Sequence, residues 1–241
     1  MGDVSRKLIE IDSRTLERQL RRPPILILPV GALEAHGPHL PLGADQLQAE
    51  ATADELADRL GGLVAPALPY GSCPGTRRFP GTVSLPMGTL TDLARQVLAE
   101  YARMGFTRML VLSGHAERGH MAALREAAES VQAAREGVRI VVLSDYDFVY
   151  ERRGDEAPPT DGHGGLLETS RVMFVAPTLV GPQRPVVEHR GSPFVPGSPP
   201  SEEWPESVQG DTRPASAELG ARLQRYVLER LEATVRSLLP E

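Results

Sequence analysis

Residues 25–45 read ILILPVGALEAHGPHLPLGAD, and the change of texture inside this stretch decides the fold. Ile25 to Val30 is a short apolar run with β-branched residues, bounded by Pro23-Pro24 and Gly31, and reads as a buried strand. From Gly31 onward Gly and Pro are too dense for a helix, so the segment is a long loop. At Asp45 the composition turns to Ala, Glu, Gln and Leu, with Leu47, Ala51, Leu56 and Leu60 near one face. That pattern predicts a helix over 45–60, stopped by Gly61-Gly62.

The same alternation continues in the rest of the chain. Leu63 to Tyr70 reads as the next strand despite its prolines, and Thr91 to Met104 as an amphipathic helix capped by Thr89 or Thr91 and ended by Gly105. Arg108–Ser113 is a strand, Gly119 to Arg135 a helix and Val138–Ser144 a strand. A loop from Arg152 to Gly165 leads into a helix starting near Leu167. Leu219–Leu239 is a long final helix with Leu223, Val227, Leu231 and Val235 spaced by four. The expectation is an α/β fold: a single compact domain over 1–241 with a mainly parallel sheet flanked by helices on both faces. Ligands of such sheets gather beyond the carboxyl ends of the strands, where the loops after Val30 and Ser113 begin. The Pro-rich stretch from Pro182 to Pro214 is too long for an ordinary connection and is expected to cover a subunit contact or the mouth of a site.

The net charge of −6 argues against a general nucleic-acid or bilayer surface. No apolar run approaches the length of about 20 residues that spans a membrane. Met1 to Ile11 carries scattered charges and no apolar core, unlike a secretory signal. A single cysteine, Cys73, rules out an intramolecular disulfide framework and fits a reducing cytoplasm, the expected compartment. With no base beside it in sequence, Cys73 reads as an inert thiol. No phosphate-binding glycine motif follows a strand.

Chemistry concentrates in three loops. Glu34-x-His36 is followed by His39 and Asp45; carboxylate and imidazole are the usual ligands of Zn²⁺ or Mn²⁺. An Asp opening the following helix can return to the same point and bridge two ions with its two oxygens. His115-x-Glu117 repeats the alternation at the end of another strand. The third loop, Asp161-Gly-His163-Gly-Gly-x-x-Glu168, puts His163 among glycines just before a helix and Glu168 in its first turn. There an acid serves equally as a dipole partner and as a catalytic group. Singly, each residue is as readily a capping or surface side chain; together they suit metal-assisted hydrolysis. Ions lower the pKa of water and polarise a carbonyl, and a neutral histidine carries a proton to the departing nitrogen.

At these residues the sequence closely resembles the creatininase (creatinine amidohydrolase) family. The resemblance is carried by PVGALEAHGPHLPLGAD at 29–45, FPGTVSLP at 79–86, LSGHAE at 112–117, HGGLLETS at 163–170 and GDTRPASAELG at 210–220. It implies an amidohydrolase that cleaves a C–N bond in a small cyclic or linear amide with two divalent ions per chain, Zn²⁺ and/or Mn²⁺, in a homo-oligomer that is commonly a hexamer. It further implies that Glu34, Asp45 and His115 bind one ion and His36, Asp45 and Glu117 the other. By the same resemblance His163 shuttles the proton, with Glu168 as an acid beside it, and His39 braces the loop.

Departures from the family pattern bear on substrate. Ala116 stands where creatininase has an aromatic residue, and Ser113 stands where an asparagine is usual. The segment before His163 lacks a covering tryptophan; the only one, Trp204, lies in the Pro-rich loop and is expected to pack or to cover the site. Ser113, Arg77 and Arg78 are the expected substrate contacts, the arginines reading an anionic group. Creatinine–creatine interconversion proper and trimming of a small peptide are subsidiary readings. Other family members carry a His-Gly-Gly-Asn run where this chain has His115-Ala116-Glu117, which counts against the second. A metal-stabilised binding or scaffold protein is the reading outside catalysis, and the glycine-flanked His163 counts against it.

Overall fold

The computed structural model describes residues 5–188 and 205–240. Four parallel strands form the central sheet in the order β2-β1-β3-β4: β1 Leu26–Val30, β2 Leu63–Val64, β3 Arg108–Ser113 and β4 Arg139–Ser144. The helices in chain order are α1 Ser13–Gln19, α2 Ala44–Leu60, α3 Met87–Met104, α4 Arg118–Ala134, α5 Tyr146–Val149, α6 Leu166–Val175 and α7 Ala217–Leu238. A two-stranded antiparallel pair, β5 Val186–Val187 with β6 Gly210–Asp211, lies apart from this sheet.

Alternation along the strands builds two cores. Ile27, Leu110 and Leu112 face α2, α5, α6 and α7, whereas Leu26, Leu28, Val30, Met109 and Val111 face α3 and α4. Both faces of each central strand are therefore covered, which is why β1 and β3 read as continuous apolar runs. The stripe predicted on α7 is buried at Leu223, Val227, Leu231 and Val235.

The strand predicted over 63–70 pairs only at Leu63–Val64, with an isolated bridge from Leu68 to Val30. Pro66 and Pro69 have no N–H to extend the ladder. Helix α3 starts at Met87 with Pro86 as its N-cap, so neither Thr89 nor Thr91 caps it; the Thr91 hydroxyl instead donates to the Ala123 carbonyl at 3.4 Å. Helix α1 was not anticipated; its signal was Asp12, whose side chain accepts from Arg14 N and Thr15 N. Trp204 and much of the stretch 182–214 lie outside the described residues.

Behind the sheet's carboxyl edge, Arg171 and Asp145 form a fully buried pair at 2.7 Å, with Arg171 Nη2 donating to Thr52 Oγ1. Burial pushes the Asp145 carboxyl up and Arg171 opposes it. Arg171→Met strands that carboxylate, and urea unfolding should give a loss of about 3–5 kcal/mol. A loss below about 1 kcal/mol would mean that the pair contributes nothing the core cannot replace.

Candidate metal centre

The donors converge at the carboxyl edge of the sheet because the first turn of α2 lies directly on the ends of β1 and β3. A Cβ at Gly31 would come 2.6 Å from Gln46 Cα, and one at Gly114 would overlap the Asp45 carbonyl oxygen. Only glycine allows this backbone approach. Asp45 is thereby fixed between the loop after β1, which carries Glu34 and His36, and the loop after β3, which carries His115.

Backbone carbonyls set the direction of both imidazoles. His36 Nδ1 lies 3.1 Å from the Glu34 carbonyl oxygen and His115 Nε2 lies 3.0 Å from that of Ser72. A carbonyl can only accept, so each of these nitrogens carries the proton and the other presents its lone pair. Those lone pairs meet carboxylates. His36 Nε2 is 3.1 Å from Asp45 Oδ1 and 3.5 Å from Glu168 Oε1. His115 Nδ1 is 2.8 Å from Glu34 Oε1 and 3.2 Å from Asp45 Oδ2. The two oxygens of Asp45 thus face two different histidines.

Glu34, His36 and Asp45 are almost fully buried, and Glu34 Oε1, His36 Nε2 and Asp45 Oδ2 have no hydrogen-bond partner among the described residues. Lone pairs opposed to carboxylates at these distances repel unless a proton or a cation lies between them. The titration of the groups reflects the same field. Burial disfavours protonation of His36 and His115, yet Glu168 and Asp45 around the first, and Glu34 and Asp45 around the second, raise both well above the ordinary imidazole value. Burial likewise opposes ionisation of Glu34, but His115, His163 and His36 hold it well below the carboxylate range. Glu168 is buried too, and His36 brings its carboxyl down to about 2. Nitrogen and carboxylate donors around one four-coordinate ion stand about 3.4 Å apart, so the set fits divalent cations. Two trios, Glu34–Cys73–His115 and His36–Asp45–Glu168, have ligand atoms within 4.8 Å of one another, and Glu34–His36–His163 overlaps them.

Glu168 stands beside His36 and Asp45 as a further carboxylate. Glu117 is the N-cap of α4, its Oε2 accepting from His120 N at 2.7 Å, although it still lines the cavity. The two readings of Glu168 share its carboxylate: Oε2 accepts from Gly164 N at 2.7 Å, as an acid at a helix start does, while Oε1 turns to His36 and the Tyr146 hydroxyl at 3.0 Å. His163 lies with its ring centroid 4.3 Å from that of His36. Its Nε2 is 2.7 Å from the Ala35 carbonyl, and its Nδ1 is 4.0 Å from Glu34 Oε1. His39 reaches Thr169 Oγ1 at 2.8 Å, tying the loop after β1 to α6; burial brings its pKa down to about 4.

Glu34, Asp45, His115, His163 and Glu168 line a cavity of about 220 Å³, lined further by Cys73, Thr76, Ala116, Tyr150, Arg153 and Gln209. Arg77 and Arg78 are exposed and do not line it. Ser113 is buried behind it; its hydroxyl donates to the His115 carbonyl at 2.7 Å and lies 3.1 Å from His120 Nε2. It therefore braces the His115 loop. The arginine that does line it is Arg153, whose guanidinium lies 3.4 Å from the Tyr150 ring centroid. Cys73 and Thr76, the latter donating to Glu34 Oε2, were also missed, and no local motif marks any of the three.

The family model described as Creatininase: Creatinine amidohydrolase matches residues 10–235. A creatinine amidohydrolase of Pseudomonas putida is 37% identical over 190 residues, 71% of this chain and 72% of that protein. A mycofactocin precursor peptide peptidase of Mycobacterium tuberculosis is 30% identical over 188 residues, 73% of this chain and 68% of that protein. Among solved structures, a Zn–Zn creatininase with one Glu-to-Gln replacement superposes with a TM-score of 0.90 at 27% identity, covering 99% of this chain and 100% of that one. A manganese creatininase gives 0.89 at 27% identity, covering 98% and 100%.

Proposed function

The chain belongs to the creatininase family, and from that premise we propose that it hydrolyses the C–N bond of a small cyclic or linear amide with two divalent ions, zinc or manganese. One observation carries the reading: His115 Nδ1 faces two buried carboxylate oxygens, Glu34 Oε1 and Asp45 Oδ2, that have no hydrogen-bond partner among the described residues, while the other Asp45 oxygen lies 3.1 Å from His36 Nε2. Glu34, Asp45 and His115 hold one ion; His36, Asp45 and Glu168 hold the other. The chemistry the ions supply when bound is water of lowered pKa and a polarised carbonyl.

The protein's own groups do the rest. The Ala35 carbonyl fixes the His163 ring through Nε2, leaving Nδ1 on the Glu34 side, where it delivers a proton to the departing nitrogen. Glu117 adds a carboxylate to the cavity wall and accepts the proton lost by the attacking water. The small cavity admits a compact substrate. A homo-oligomer, a hexamer after the family pattern, and a cytoplasmic setting belong to the same proposal; native mass spectrometry reads the first.

Metal analysis of purified protein, paired with a hydrolysis screen of creatinine, other cyclic amides, formamides and short peptides, tests the reading. About two ions per chain and turnover of a small amide are expected. Failure to bind metal after reconstitution overturns it and favours a binding or scaffold protein. Cleavage confined to peptides moves the peptide-trimming alternative, supported by the mycobacterial relative, to the front.

Arg153 makes the substrate expectation narrower. It is an arginine in the lining of an otherwise acidic cavity, and its buried Nε has no hydrogen-bond partner among the described residues. Amides that carry an anionic group should therefore be preferred. Arg153→Gln should raise KM for those substrates about 10- to 100-fold and leave neutral amides unaffected, as loss of a charged hydrogen bond predicts. An equal change for both classes would remove that role.

A further inference from the structure

Cys73 stands out because the fold invests in its position. Its backbone N–H donates to Ser84 Oγ at 2.8 Å. The preceding residue, Ser72, is tied to α4 through its N–H to His120 Nδ1 and to the next loop through its carbonyl to His115 Nε2. These bonds hold the 72–73 segment against the His115 loop. The Cys73 side chain is buried, lines the cavity, and has its sulfur within 4.8 Å of a Glu34 carboxylate oxygen and a His115 ring nitrogen. Independently of the thiol, Glu34 aims an unpartnered atom here. Thr76 occupies its Oε2, while Oε1, on a residue 1% exposed, has no hydrogen-bond partner among the described residues.

We propose that Cys73 Sγ is a fourth protein donor to the ion held by Glu34, Asp45 and His115, making that position a closed, zinc-selective one. The inference rests on the two-ion reading above. With His36, Asp45 and Glu168 the second position has three protein donors and stays open. Four protein ligands characterise zinc sites that hold structure, and three characterise sites that leave room for water or substrate. A thiolate adds a soft donor that favours zinc over manganese. On coordination the S–H bond breaks, the sulfur–metal bond forms and the proton passes to solvent, so no oxidant or reductant is involved. The two positions thus differ in lability: one zinc is retained, and the other ion exchanges.

The test uses the full-length protein, stripped of metal under reducing conditions and titrated with cobalt(II). Wild type should develop a near-ultraviolet sulfur-to-cobalt charge-transfer band; Cys73→Ser should bind cobalt without that band. After loading with mixed zinc and manganese and dialysis against a chelator, wild type should keep about one zinc per chain, and in the variant the zinc-over-manganese preference should fall about tenfold or more. Cobalt bound to wild type without the band overturns the proposal and leaves the two-ion reading intact, whether or not the variant folds. No cobalt or zinc bound to wild type overturns both. A Cys73→Ser preference equal to wild type also counts against the sulfur as a donor.

Discussion

Asp45→Asn should abolish binding of both ions together and lower turnover by about three orders of magnitude or more. The asparagine keeps the shape of the side chain, so a purely steric role would survive the change. It removes the charge that both imidazoles face, at 3.1 Å and 3.2 Å, and puts an amide N–H group toward one of the two lone pairs. The metal-free variant should also be less stable than metal-free wild type at neutral pH, because Asp45 is one of the charges that hold the buried His36 and His115 protonated there. Metal analysis and thermal unfolding with and without zinc read both effects. Wild type should gain thermal stability on adding zinc and the variant should not. Retention of one ion with partial activity would show that Asp45 serves a single position.

His163→Ala gives the second large effect, with the opposite metal result. Its ring is anchored to the Ala35 carbonyl and stacked near His36, yet it is not in either trio that contains Asp45 or Cys73. Both ions should stay bound while kcat falls about 100- to 10,000-fold, the span ascribed to a positioned general acid. Substrates with a good leaving group, which need no proton on departure, should lose far less. An equal loss for good and poor leaving groups would show that His163 orients the substrate without carrying the proton.

Much of this arrangement could be read in the sequence where the signal is local. The run 25–30, the Gly/Pro-rich loop and the helix after it lie within one short stretch, and the donors Glu34, His36 and Asp45 come from it. Glu117 shows what a local pattern leaves out: its alternation with His115 gives no sign that the chain turns into α4 at Arg118 or that one of its carboxylate oxygens caps that helix. Glu168 was ambiguous because an acid in a first turn suits the helix dipole anywhere; only the fold shows that its other oxygen reaches His36. Cys73, Thr76 and Arg153 could not be found by pattern, since their neighbours in space are distant in sequence. Arg77 and Arg78 are exposed and do not line the cavity, because adjacency to a motif in sequence is not adjacency to a cavity.

The glycines that seat α2 on the strand ends have a consequence for how this architecture diversifies. Main-chain atoms touch main-chain atoms at Gly31 and Gly114, so the spacing of the Asp45 carboxylate from the histidine loops is set by peptide dimensions, which no side-chain exchange alters. The cavity wall has no such gauge: Ala116, the Tyr150–Arg153 segment and Gln209 come from three separate stretches of chain and can change independently. Reactivity and selectivity are therefore mechanically decoupled. New substrates can be explored by changing the wall while the cation-binding distances stay fixed, and selection for a different amide need not disturb the machinery that cleaves it.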